Sequence, residues 1–222
     1  MDGRVKPGQG VGKSLDQETP LKLRHNPASP YVRKVMIVAH ELGLAGKIEL
    51  LDTVVSPVTT NATLADENPL MKIPALTTDD GDVLFDSPVI CEYLDSLAGG
   101  GKVFPAPGKA RWAALRQQAL GDGILDALIL CRYEIAARPE DKRFAGWTDG
   151  QMKKAHQGLA ALEREDLSGP HTIGWVTAAC TLGYVDFRFP NDGWRTRHPK
   201  LAEWYRGVEA LPSMQATKPP AG

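Results

Sequence analysis

Cysteine is scarce in this 222-residue chain, and the three present, Cys91, Cys131 and Cys180, form no CxxC pair and no His/Cys cluster. An odd, scattered count argues against a disulfide framework and against a zinc site. A reducing, cytoplasmic setting is the expectation. Each cysteine lies in an apolar, helix-like stretch, where a free thiol behaves as a small buried hydrophobe. The five histidines, His25, His40, His156, His171 and His198, show no metal-ligand spacing, so no metal is expected. His25 is read as a surface residue near the candidate site.

Long apolar runs are missing as well. None reaches the roughly 18–20 residues needed to cross a bilayer. Nor does charge of one sign dominate: 26 Lys and Arg stand against 27 Asp and Glu, a net charge of −1. Neither nucleic acid nor a membrane surface is therefore an expected partner. Residues 1–19 carry Gly3, Gly8, Gly10 and Gly12 among scattered charges and lack the apolar centre of a secretory signal. They are read as a flexible tail and set aside from the fold.

Apolar residues make up 42% and charged residues 24%, ordinary values for a globular chain of one large or two small domains. Leu21–His25 alternates as a strand, and Pro27 and Pro30 then punctuate the chain. From Val32, the residues Val35, Met36 and Ala39 recur at helical spacing until Gly43. Lys47–Val55 alternates again, which makes a right-handed βαβ unit with parallel strands. Thr63–Asn68 is a short irregular or helical piece. Ala75–Thr77 and Val83–Phe85 flank the turn signal Asp80-Gly81 and predict an antiparallel hairpin. Ser87-Pro88 opens a helix through Leu97, with Ile90 and Leu94 on its apolar stripe.

Residues 99–108 hold four glycines and two prolines and read as a linker. The predicted division is a first domain at 20–98 and a helical domain at 109–222. Candidate helices are Arg111–Ile135, in which Gly121 and Gly123 weaken the helical pattern or mark a bend, then Asp149–Glu165, an apolar Thr172–Tyr184, and His198–Leu211. Trp112 and Tyr133 are read as core or subunit contacts, with a substrate pocket as the alternative.

Three motifs stand in order: Ser29-Pro30-Tyr31-Val32-Arg33-Lys34, then Asn68-Pro69-Leu70-Met71-Lys72-Ile73-Pro74-Ala75-Leu76, then Asp86-Ser87-Pro88-Val89-Ile90-Cys91-Glu92-Tyr93-Leu94. With them the chain resembles the glutathione transferase superfamily, most of all its bacterial branch with serine at the first helix start. The segments Ala119–Asp126 and Gly183–Arg188 carry the resemblance into the helical half. It implies an α/β plus all-α fold: a thioredoxin-like domain (βαβ-ββα, mixed sheet) followed by an all-helical domain. The implied activity is activation of the glutathione thiol for attack on a small hydrophobic electrophile, by a cytoplasmic homodimer. A glutathione-dependent reductase, lyase or isomerase, or a non-catalytic binding protein, are the rival readings, because fold does not fix function.

By position, the resemblance makes Ser29 the residue that activates the thiol. Ile73 with Pro74, the proline in cis, offers backbone to the cysteinyl part of glutathione. Asp86 with Ser87 takes the γ-glutamyl end, and Lys72 is the candidate for the glycyl carboxylate. Asn26, in the same loop as Ser29, is a second candidate for the thiol contact. The family's Ser/Thr-x-x-Asp box departs here, since Thr172 is followed by Ile173, Gly174 and Trp175.

The residue types suit the chemistry. Ser-Pro starts a helix, with serine as cap and proline at the first position. Such an end leaves N–H groups unsatisfied and carries about half a positive charge. A thiol of pKa about 8.5 needs roughly 2.7 kcal/mol to drop about two units. A hydroxyl hydrogen bond to the thiolate supplies about 1.5–3 kcal/mol, and the helix end about 0.3–2 kcal/mol. The plain alternative is that Ser29 and Ser87 are only caps.

Overall fold

Leu21 and Leu23 point inward while Lys22 points out, and this alternation forms strand β1 (Leu21–His25) of a computed structural model that describes residues 20–220. The tail expected at 1–19 lies outside the described residues. The chain continues through α1 (Pro30–Glu41), β2 (Ile48–Asp52), α2 (Ala62–Glu67), β3 (Leu76–Thr77), β4 (Val83–Leu84) and α3 (Ser87–Leu97). The strands form one mixed sheet in the order β2-β1-β3-β4. The β1–β2 pair is parallel, with Leu21 opposite Ile48, and the other two pairs are antiparallel. This is the predicted thioredoxin-like half. β1 has the bounds read for it, while β2, β3 and β4 are shorter than read.

The rest of the described chain is helical: α4 (Lys109–Ala136), α5 (Ala145–Leu162), α6 (Ile173–Arg188), α7 (Trp194–Arg197), α8 (Pro199–Val208) and α9 (Pro212–Ala216). Among the described residues no helix is long and apolar enough to cross a membrane. α6 is central, buried at every position from Ile173 to Val185. It starts on Thr172, whose Oγ1 accepts from the Trp175 N–H at 3.4 Å, so the cap survives without the box carboxylate. All three cysteines are buried.

Several expectations are corrected. α4 runs unbroken through Gly121 and Gly123. Gly121 is there for close approach: a Cβ on it would fall 2.7 Å from Thr177 Cγ2, and its carbonyl accepts from Thr181 Oγ1 at 3.3 Å. α5 begins at Ala145, four residues ahead of the expected start, and α6 runs one turn beyond Tyr184. The last predicted helix, His198–Leu211, is α8, which ends three residues earlier, and the short helices α7 before it and α9 after it, which Pro212 starts, went unread. Trp112 is 68% exposed, so it lines neither core nor pocket.

The two halves are joined by charge as well as by apolar packing. Lys34 on α1 is 0% exposed, and its Nζ donates to Asp122 of α4 at 2.6 and 2.9 Å. Burial pushes the Asp122 carboxyl up, against the opposing pull of Lys34. Removing one partner of such a pair leaves the other charge buried and uncompensated. We expect Lys34→Ala to lower unfolding free energy by about 3–5 kcal/mol in urea melts. Adding Asp122→Asn should cost less than the two single changes summed; strict additivity would contradict the coupling.

Candidate functional site

The sheet register brings the three predicted motifs to one place. In the antiparallel β1–β3 pair Leu23 faces Leu76, and the Arg24 N–H donates to the Ala75 carbonyl at 2.8 Å. In β3–β4, Leu76 faces Leu84. Continuing both registers, the loop leaving β1, the segment Ile73-Pro74 entering β3, and Asp86-Ser87 leaving β4 all fall at the same end of the sheet.

Ser29 caps α1 from an extended conformation, with φ −81° and ψ 120°. Its Oγ accepts from the Val32 N–H at 3.3 Å, which leaves the hydroxyl proton free to donate elsewhere. Asn26 shapes the loop in front of it: Oδ1 accepts from the Ala28 N–H at 3.0 Å, and its carbonyl accepts from the Ser29 N–H at 3.0 Å. Only the Asn26 amide nitrogen is left for another partner. His25 is half-buried, 3.2 Å from Asp52, which corrects its reading as a surface residue.

The Ile73–Pro74 bond is cis, the state the resemblance implied. Ile73 is buried, and among the described residues its N–H and carbonyl have no partner. Lys72 is exposed and makes no ion pair among the described residues. Asn68 secures this loop by donating from Nδ2 to the Lys72 carbonyl at 2.8 Å.

At α3 the expected cap moves by one residue. Asp86, not Ser87, is the N-cap; Ser87 and Pro88 are the first two helical residues. The Asp86 carboxylate makes no capping hydrogen bond and is exposed, so capping does not account for its side chain. Ser87 is buried at that helix end. The Phe85–Asp86 peptide bond is also cis, a feature with no signal in the sequence pattern.

Sequence reasoning missed the other wall of the site. A narrow crevice beside Ser29, without room for a water molecule, is lined also by Arg33, Cys180, Tyr184 and Pro219. The Arg33 guanidinium donates to the Met214 carbonyl at 3.2 Å, tying α9 to α1. Gly183 makes room for it, since a Cβ there would lie 2.2 Å from Arg33 Nη1. Arg33 and Lys34 read from the sequence as the polar face of the helix, whereas both are buried. Burial pushes the Cys180 thiol up to about 11 and the Tyr184 phenol up to about 12. Both stay protonated at neutral pH, so neither is a ready nucleophile or base. Among the described residues no group of three or more His, Cys, Asp or Glu is placed to hold a metal.

Comparisons with known proteins show the family. Residues 28–97 match the glutathione S-transferase N-terminal domain and residues 145–207 the glutathione S-transferase C-terminal domain. A glutathione transferase family member from Pseudomonas fluorescens Pf-5, solved with bound glutathione, is 49% identical, with a TM-score of 0.88 over 90% of this chain and 99% of that one. A second structure from that organism, with bound S-(propanoic acid)-glutathione, is 48% identical over the same shares, with a TM-score of 0.83. The uncharacterized GST-like protein YibF of Escherichia coli K12 is 29% identical over 90% of this chain and 99% of its own length. The chain belongs to the glutathione S-transferase family.

Proposed function

We propose that this chain binds glutathione at the common end of β1, β3 and β4 and activates its thiol for transfer to a small hydrophobic electrophile. The observation that carries the reading is Ser29: a helix cap whose hydroxyl accepts one backbone hydrogen bond and still holds a proton to donate. Glutathione bound to the 49% identical relative supports the ligand.

In this reading the thiolate sits at the N-terminus of α1, where the Ser29 O–H and the helix end favour negative charge. The thiol proton leaves to solvent. Sulfur attacks the electrophilic carbon, a carbon–sulfur bond forms, and the leaving group departs with the electrons of its broken bond. The Ile73 N–H and carbonyl pair with the cysteinyl backbone in the manner of an added strand. The γ-glutamyl carboxylate rests at the α3 N-terminus with Ser87, and its ammonium pairs with Asp86. Lys72 is in place for the glycyl carboxylate. Asn26 holds the loop, and its amide nitrogen is the second donor toward sulfur.

Thiol–disulfide chemistry is less well supported, because it needs an accessible thiolate. Serine stands at the helix start and all three cysteines are buried. The working unit in this reading is a cytoplasmic homodimer of two-domain chains, divided at residues 99–108. Exposed apolar side chains such as Val89 and Trp112 favour a covered face.

Ser29→Ala removes the donor and keeps the helix. Conjugation at neutral pH should fall about tenfold or more, the loss of one charged hydrogen bond, and recover partly in alkali where the thiol ionises unaided. Full activity with an unchanged pH profile would move the role to Asn26. Asp86→Ala should weaken glutathione binding by roughly ten- to a hundredfold in calorimetry, with the electrophile's apparent affinity much less affected. An unchanged glutathione affinity would place the γ-glutamyl end elsewhere.

A further inference from the structure

The direction of the helices defines what lies beyond the sulfur. α1 and α4 are antiparallel: Lys34 meets Asp122, and Tyr31, further toward the α1 start, donates to Asp126. Walking on along α4 therefore leads past Ser29. Arg132 and Tyr133 stand roughly 10 Å beyond Asp126, at about 1.5 Å per residue. α6 runs parallel to α4, since a Cβ on Gly174 would meet the Ala114 carbonyl while Thr181 reaches the Gly121 carbonyl. It passes the same point: Gly183 lies against Arg33, Tyr184 lines the crevice beside Ser29, and Arg188 follows one turn later.

Arg132 of α4 and Arg188 of α6 thus lie toward the same ends of these two parallel helices as Tyr184. Both arginines are half-buried. Both cations, with Tyr133, act electrostatically on the Tyr184 phenol, which Arg188 also meets through a side-chain hydrogen bond. The Arg188 guanidinium lies 3.9 Å from the centre of the Phe187 ring, and its Nε is buried with no hydrogen-bond partner. The carboxylates on these helices are engaged elsewhere. Asp126 accepts from Tyr31, Asp186 from Trp194 and Arg195, and Glu134 from Arg138. Among the described residues neither Arg132 nor Arg188 has a carboxylate partner. A buried donor left unpaired is costly, and a guanidinium in a closed site is best satisfied by a carboxylate, which it grips with two parallel bonds.

We propose that the electrophile this chain accepts carries a carboxylate, held by Arg132 and Arg188 beside the Tyr184 hydroxyl, with its reactive carbon turned to the sulfur at Ser29. The inference rests on the transferase reading above and narrows its second substrate from a hydrophobic electrophile to an anionic one. The bond changes are those already given, and the carboxylate is a handle that takes no part in them.

The test compares a series of S-carboxyalkyl glutathiones of increasing chain length with their uncharged carboxamides, by calorimetry on the full chain. At the best length the acid should bind about tenfold or more tighter than its amide, as one charge-assisted contact requires. Arg132→Gln with Arg188→Gln should bring the acid down to the level of the amide. Equal binding of acid and amide at every length in the unaltered protein would overturn the proposal, and that arm needs no variant. An equal loss of unsubstituted glutathione in the double variant would also overturn it, since the arginines would then serve glutathione itself. Failure of glutathione and of every conjugate to bind would bring down the transferase reading, and this inference with it.

Discussion

The buried Lys34 ammonium, held by Asp122, fixes where everything else in the site can stand. It locks α1 against α4, and α1 is capped by Ser29, the residue proposed to face the sulfur. Tyr31 repeats the tie to α4 one turn closer to that start, through Asp126. Arg33 adds a third, to the carbonyl of Met214 in α9. Three contacts from about one turn of α1 thus set its N-terminus from the helical half, while β1 and its loop set it from the sheet. A slip of this helix would carry Ser29 away from Ile73 and Asp86 together.

The site works through backbone more than through unusual side chains. Two helix ends lie at one end of the sheet, and a strand-entry segment with unpaired backbone lies between them. A tripeptide with a carboxylate at each end and a thiol in the middle suits that layout. No strong base is required. The roughly 2.7 kcal/mol needed to bring a thiol down by about two units falls within one charged hydrogen bond plus a helix end.

Much of this was legible in the sequence, for particular reasons. The strand–helix–strand and hairpin pattern followed from alternation and the Asp80-Gly81 turn, and Ser29-Pro30 announced its helix through local chemistry. The helical half was legible as helices but not in its details. Gly121 resembled a breaker because its role, letting Thr177 approach, depends on a residue 56 positions away. Asp86 displaced Ser87 as cap, because Ser-Pro at a helix start leaves the boundary open by one residue. Arg33 and Tyr184 meet only through the packing of α1 against α6, which no local spacing encodes.

The central claim is that the start of α1 stabilises a thiolate on bound glutathione. A direct ultraviolet titration of the thiol in the complex with unaltered protein tests it. The account predicts that the bound thiol ionises about two units below its ordinary pKa of about 8.5, so that it is largely thiolate at neutral pH. A bound thiol that titrates at its free value would contradict the account, and would leave glutathione held here as a passive ligand.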